Sequence, residues 1–161
     1  FLSLAQCACK DALEPIAHGA LQMAMGQSLD VNADGGAELL EALQDYKTGA
    51  LIRAAVASGA ACAKASEAQM DALLRFANAY GMLFQITDDI LDCTGDAALL
   101  GKTVGKDEAE GKVTFVSVYG LEGAKTRAQS YAKIAQESVL DAHAEPTFFT
   151  ELIQYTLTRK S

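Results

Sequence analysis

The chain has 161 residues, half of them hydrophobic, and a formal net charge of -8. That length suits one domain or part of one, with apolar residues enough for a core. The acidic balance excludes a general nucleic-acid binder, but not an anionic substrate, because bound metal ions reverse the local field.

Abundant alanine, 7% aromatics, two prolines and no tryptophan predict an all-α protein. Apolar residues recur at helical spacing along nearly the whole chain, and no strand alternation competes. Phe1-Leu2-Ser3-Leu4-Ala5 reads like a helix interior with no cap before it, so a fragment of a longer chain is expected. Leu2 to Leu13 is expected to be helical, and Pro15 then opens a helix to Leu29. Val31-Asn32-Ala33-Asp34-Gly35-Gly36 reads as a loop. Glu38 to Tyr46 is a short amphipathic helix, interrupted at Lys47-Thr48-Gly49 and resumed to Ser58. Ser66 with Gln69 forms a capping-box pattern that opens the longest helix, expected to reach Cys93.

A polar loop should follow, in which Gly95, Gly101, Gly105 and Gly111 interleave with Lys102, Lys106 and Lys112. Val113 to Val118 is β-branched, yet nothing nearby would pair with it as a sheet, so it too is expected to be helical. Glu122 to Leu140 and Pro146 to Arg159 complete the set. No repeat or linker divides the chain, which predicts a single domain over residues 1–161.

The cysteines, Cys7, Cys9, Cys62 and Cys93, lack C-x-x-C spacing and have mostly small or apolar neighbours. They read as reduced packing residues of a cytoplasmic protein. His18 and His143 form no ligand motif. The most apolar stretch, Thr48 to Ala63, contains Arg53 and is too short to span a bilayer. Residues 1–9 carry no basic leader of the secretory kind.

Chemistry concentrates in Phe84-Gln85-Ile86-Thr87-Asp88-Asp89-Ile90-Leu91-Asp92. Asp88 and Asp92 share a helix face, and like charges at that spacing destabilise an isolated helix. Carboxylates beside an apolar groove bind hard divalent cations, and Mg2+ in turn recruits phosphate oxygens. The bland alternative is a solvated helix end. Lys47 and Thr48 offer a phosphate contact and a short dipole, or else simple helix punctuation. The lysine-bearing loop would fold ammonium groups over a metal-bound anion, or else lie on the surface. It is not a P-loop. Gln85, one turn before Asp89, needs partners if buried.

Taken together these segments are far more specific. Phe84-Gln85-x-x-Asp88-Asp89-x-x-Asp92, then Gly95-Asp96, Gly101-Lys102 and Gly105-Lys106-Asp107, preceded by Lys47-Thr48-Gly49-Ala50-Leu51, closely resembles short-chain trans-polyprenyl diphosphate synthases. The likeness is greatest to bacterial farnesyl and geranylgeranyl diphosphate synthases. Asp88-Asp89-Ile90-Leu91-Asp92 resembles their second aspartate-rich motif, and Met25-Gly26-Gln27-Ser28-Leu29-Asp30 their G-Q-x-x-D segment. The resemblance runs from about residue 18 to the C-terminus.

It implies an isoprenoid-synthase-type helical bundle around a deep apolar cavity, with two aspartate-rich motifs holding three Mg2+ ions on an allylic diphosphate. The implied reaction is head-to-tail condensation of dimethylallyl or geranyl diphosphate with isopentenyl diphosphate. Metal-assisted ionisation gives an allylic cation, isopentenyl diphosphate attacks it, and a proton is lost. On this resemblance Asp88 ligates Mg2+, and Asp89 and Asp92 support it directly or through water. Lys47 and Lys102 hold the allylic diphosphate, and Lys112 joins on loop closure. Thr48 and Gln85 aim oxygen dipoles at the cation. Gln27 and Asp30 lie near the cavity wall. Tyr155, Arg159 and Lys160 match a tail that closes over the isopentenyl diphosphate.

The sequence departs from the family at Val116, where many relatives carry proline, and at Met25, where a second glycine is usual. No first D-D-x-x-D motif precedes Asp88. In the family that motif and the isopentenyl diphosphate-binding basic residues belong to the N-terminal half. The chain is therefore expected to be the C-terminal half of a homodimeric synthase, inactive alone and exposing an apolar face. The alternatives are a non-catalytic regulatory subunit of the same fold, a terpene cyclase, and a structural helical module. The cyclase is disfavoured because its usual Asn and Ser or Thr ligands are not seen.

Overall fold

The computed structural model describes residue 6 and residues 10–30, 37–100 and 113–159. A short turn of 3-10 helix, Lys10–Ala12, leads into α1 (Leu13–Asp30), so the expected helix before Leu13 is tight where it is described. Pro15 falls in the first turn of α1, where its missing N–H forfeits no bond. Next come α2 (Ala37–Gln44), a π-turn (Asp45–Gly49) and α3 (Ala50–Cys62). Then follow α4 (Glu67–Leu100), α5 (Phe115–Asp141) and α6 (Pro146–Thr158). The described residues contain no strand, as the periodicity requires.

α3 runs on to Cys62 rather than stopping at Ser58, and two further boundaries differ from expectation. α4 does not stop at Cys93 but continues through Gly95 to Leu100. Ala97, Ala98, Leu99 and Leu100 are strong helix formers, and one helical glycine costs only about 1 kcal/mol. α5 starts at Phe115, capped by Thr114: Ser117 N donates to Thr114 Oγ1 at 3.1 Å, and Thr114 N donates to Ser117 Oγ at 2.9 Å. Val116 therefore sits in a first turn, where proline is also tolerated. The gap between the segments expected at Val113–Val118 and Glu122–Leu140 corresponds to a kink at Gly120 (φ 70°, ψ 163°). A Cβ there would meet nothing within 4 Å, so the need for glycine is conformational rather than steric.

The core lies between α4 and α5. Phe76, Tyr80, Leu83 and Ile86 from α4 pack with Phe115 and Val139 from α5. Ala124, Ala128, Ala132 and Ala135 fall on one buried face of α5, and their small side chains let the two helices approach closely. α6 joins through Ile153 and through Phe149, whose ring meets Phe76 edge-on at 4.9 Å. A buried hydroxyl pair, Tyr80 Oη and Thr156 Oγ1 at 3.0 Å, pins α6 to α4. The capping box at Ser66 is formed, with Gln69 N donating to Ser66 Oγ and Ser66 N to Gln69 Oε1. Gln69 Nε2 also donates to Ala142 O at 3.3 Å, tying the start of α4 to the end of α5.

Leu21 and Met25, one turn apart on α1, are exposed by 59% and 50%. Cys62 is exposed rather than packed, because the last turn of α3 lies at the surface, and Cys93 is half-buried. Among the described residues no helix is long and apolar enough to cross a membrane.

Candidate active site

Helical spacing sends the three aspartates of α4 in different directions. The side chain of Asp88 is half-exposed and Asp92 is exposed, on the same side one turn on. Asp89 turns inward and is buried. It lies one turn after Ile86, which is fully buried, so it falls on the core-facing row.

There Asp89 meets two N–H donors. Gln85 Nε2 donates to its Oδ1 at 2.9 Å, and the main-chain N–H of Phe115 donates to its Oδ2 at 2.8 Å. Gln85 in turn accepts at Oε1 from Thr48 Oγ1 at 3.3 Å. Three separate elements thus converge: the π-turn, the middle of α4 and the first turn of α5.

The interruption expected at Lys47-Thr48-Gly49 is this π-turn, set between α2 and α3. Its position is braced by Arg53, whose Nη1 contacts Asp45 Oδ1 and donates to Asn78 Oδ1 of α4 at 3.3 Å. Lys47 and Thr48 are both half-buried. α1 presses on the turn through Gly26, whose added Cβ would lie 2.8 Å from Lys47 N and 2.8 Å from Tyr46 Cβ. Close approach therefore accounts for the glycine of Met25-Gly26-Gln27, while Gln27 itself is exposed. Gly26→Ala should cost about 1–3 kcal/mol, because main-chain atoms cannot swing aside. A shift in the urea midpoint at constant slope would register it.

The chain end returns to the same place. Arg159 follows α6, and its Nη2 donates to Asp88 Oδ1 at 3.0 Å. Its guanidinium lies 4.6 Å from the Phe84 ring centroid, and the side chain is only 14% exposed. Its Nε is buried without a hydrogen-bond partner. Tyr155 points outward, 63% exposed. Lys102, Lys112 and Lys160 lie outside the described residues.

So Thr48, Gln85, Asp88, Asp89 and Arg159 are gathered in one region, with Lys47 beside them and Asp92 one turn away. Among the described residues no group of three or more acidic, histidine or cysteine side chains converges to hold a metal alone. That fits Mg2+ as a partial site: the ion takes one or two carboxylates and fills its other positions with water and phosphate oxygens. Asp88 and Asp92, on one side of α4, are the carboxylates that could contribute to such a site. The sequence reading missed the inward turn of Asp89, for which the position of Ile86 was the available signal. It also missed the Asp45–Arg53 brace, which no helical spacing announces.

Residues 1–148 match the family described as Polyprenyl synthetase. The farnesyl diphosphate synthase of Escherichia coli is 41% identical over 127 residues, covering 76% of this chain and 42% of the relative. The geranylgeranyl diphosphate synthase of Cyanophora paradoxa is 40% identical over 119 residues, covering 71% and 40%. The chain thus spans well under half the length of these curated relatives. A geranyltransferase from Helicobacter pylori, solved with magnesium and isoprenyl diphosphate, is 31% identical with a TM-score of 0.64, over 84% of this chain and 45% of that one. A decaprenyl diphosphate synthase from Rhodobacter capsulatus shares the fold, with a TM-score of 0.77 at 22% identity, over 93% of this chain and 60% of that one. With its all-helical isoprenoid-synthase fold and its aspartate motif on α4, the chain belongs to the polyprenyl synthetase family.

Proposed function

We propose that this chain supplies the second aspartate-rich motif and the cation-facing dipoles of a prenyltransferase that joins an allylic diphosphate to isopentenyl diphosphate, head to tail, giving farnesyl or a similar short-chain diphosphate. The observation that carries this is the gathering of Thr48, Gln85, Asp88 and Arg159 about the middle of α4. The complete enzyme would add the residues upstream of this sequence that the family uses for the first motif.

In the reaction the allylic C–O bond breaks and its electron pair leaves with the diphosphate. The double bond of isopentenyl diphosphate attacks the cation, and the departing diphosphate takes the proton whose loss restores an alkene. Mg2+, when bound at Asp88 and Asp92, would neutralise charge developing on the leaving diphosphate. Lys47, half-buried beside Thr48 in the π-turn, would assist with its ammonium group, as would Lys102 and Lys112 on the family resemblance. Gln85 Oε1 and Thr48 Oγ1 put the negative ends of two dipoles beside Lys47, where a cation would be stabilised without being captured. Arg159 donates to one oxygen of Asp88, so a divalent cation bound there would share that carboxylate with the guanidinium.

A thermal melt tests this reading. Mg2+ together with inorganic diphosphate should raise Tm, by an amount equivalent to about 2.7 kcal/mol at a hundredfold excess over Kd. Neither should do so alone to the same degree. No linked stabilisation would make the chain a helical module that binds nothing.

A further inference from the structure

We propose that Asp89 is a positioning residue for this reaction: it fixes which end of the Gln85 amide faces the substrate, and anchors that orientation to the first turn of α5. The inference rests on the prenyltransferase reading above.

A glutamine amide can turn its oxygen or its NH2 either way, so its direction is set by its partners. An ionised carboxylate only accepts. Asp89 Oδ1, 2.9 Å from Gln85 Nε2, therefore claims the NH2 end and leaves Oε1 for Thr48, 3.3 Å away. Thr48 has a single hydroxyl proton, and it is directed at Gln85. The oxygens of both residues remain as a pair of acceptors. An amide turned the other way would put N–H donors at that edge, the wrong sign for a developing allylic cation.

The other carboxylate oxygen explains why Asp89 itself holds still. The Phe115 N–H is one of the amides that a helix start leaves without an internal partner, and Phe115 is fully buried. Asp89 Oδ2 satisfies it at 2.8 Å, and the positive end of α5 favours a carboxylate there. Asparagine is nearly the same shape but cannot do both jobs. If its oxygen accepts from Phe115, its NH2 faces Gln85 and forces the amide over.

In the complete enzyme carrying this sequence, Asp89→Asn should lower kcat by about 10–100-fold. The Mg2+ concentration for half-maximal activity should not change. Calorimetry with Mg2+ and inorganic diphosphate should give wild-type affinity for Asp89→Asn and loss of binding for Asp88→Ala. The paired change Gln85→Glu with Asp89→Asn returns an oxygen to the Thr48 side, and should recover part of the lost kcat. Three results would overturn the proposal: an unchanged kcat in Asp89→Asn, loss of Mg2+–diphosphate binding comparable to Asp88→Ala, or a paired variant no faster than the single one.

Hydrogen exchange at the Phe115 amide provides a readout independent of turnover. It should be slow in the wild type and in Asp88→Ala, and fast in Asp89→Ala; equal rates in all three would also overturn the proposal. Absent turnover in the wild type with that exchange pattern intact would sink the prenyltransferase reading and leave the tether standing.

Discussion

Replacing Asp88 by alanine in the complete enzyme is expected to lower kcat on the order of 10²–10³-fold and to leave Tm nearly unchanged. Two facts separate the effects. The carboxylate stands half-exposed at the edge of the bundle, so its removal opens no cavity in the core. Its partner Arg159 keeps the face of Phe84, and because the carboxylate side of the pair is open to water, the loss should be about 1 kcal/mol even though the guanidinium is only 14% exposed. What is lost is negative charge at the position where a divalent cation and diphosphate would meet. Asp88→Asn sharpens the test, since an asparagine oxygen can still accept from Arg159 but ligates Mg2+ poorly. Both variants should be folded and show that large loss of turnover. Near-wild-type turnover in either would remove Asp88 from the metal site.

The largest stability effect is expected at Phe76, where truncation to alanine should cost about 3–5 kcal/mol. Phe76 is 2% exposed, stacks with Tyr80 at 5.6 Å and meets Phe149 edge-on at 4.9 Å. It thereby joins α4 to α6 at the centre of the core. The loss comprises apolar transfer, a cavity in a close-packed interior and two aromatic contacts. A fall in the urea midpoint would measure it. α6 also carries Arg159 to Asp88, so the variant should loosen the chain end from the acidic motif. Faster hydrogen exchange at Arg159, whose N–H bonds to Tyr155 O at 2.8 Å, would report that loosening.

The sequence discloses the helices because its signals are local. Pro15 and the Ser66–Gln69 capping box each act within a turn or two of themselves, and the structure places each as expected. The acidic motif was legible for the same reason, with Lys47, Thr48 and Gln85 recognisable beside it through the family likeness. Less accessible were the features set by tertiary contact. Gly95 looks like a helix stop, but the strong helix formers after it carry α4 onward. Three carboxylates within five residues read as one cluster, whereas the burial of Asp89 on the Ile86 row, with Asp88 half-exposed and Asp92 exposed, depends on how α4 packs. Arg159 was legible as a basic tail, yet its contact with Asp88 spans 71 positions and depends on how α6 packs.

The most direct test is Mg2+-dependent release of inorganic diphosphate from dimethylallyl or geranyl diphosphate in the presence of isopentenyl diphosphate, using the complete enzyme that carries this sequence. Release that needs the metal, accompanied by a polyprenyl diphosphate one isoprene unit or more longer, is the predicted result. A folded enzyme that binds Mg2+ and diphosphate but releases none from these substrates would contradict the assignment.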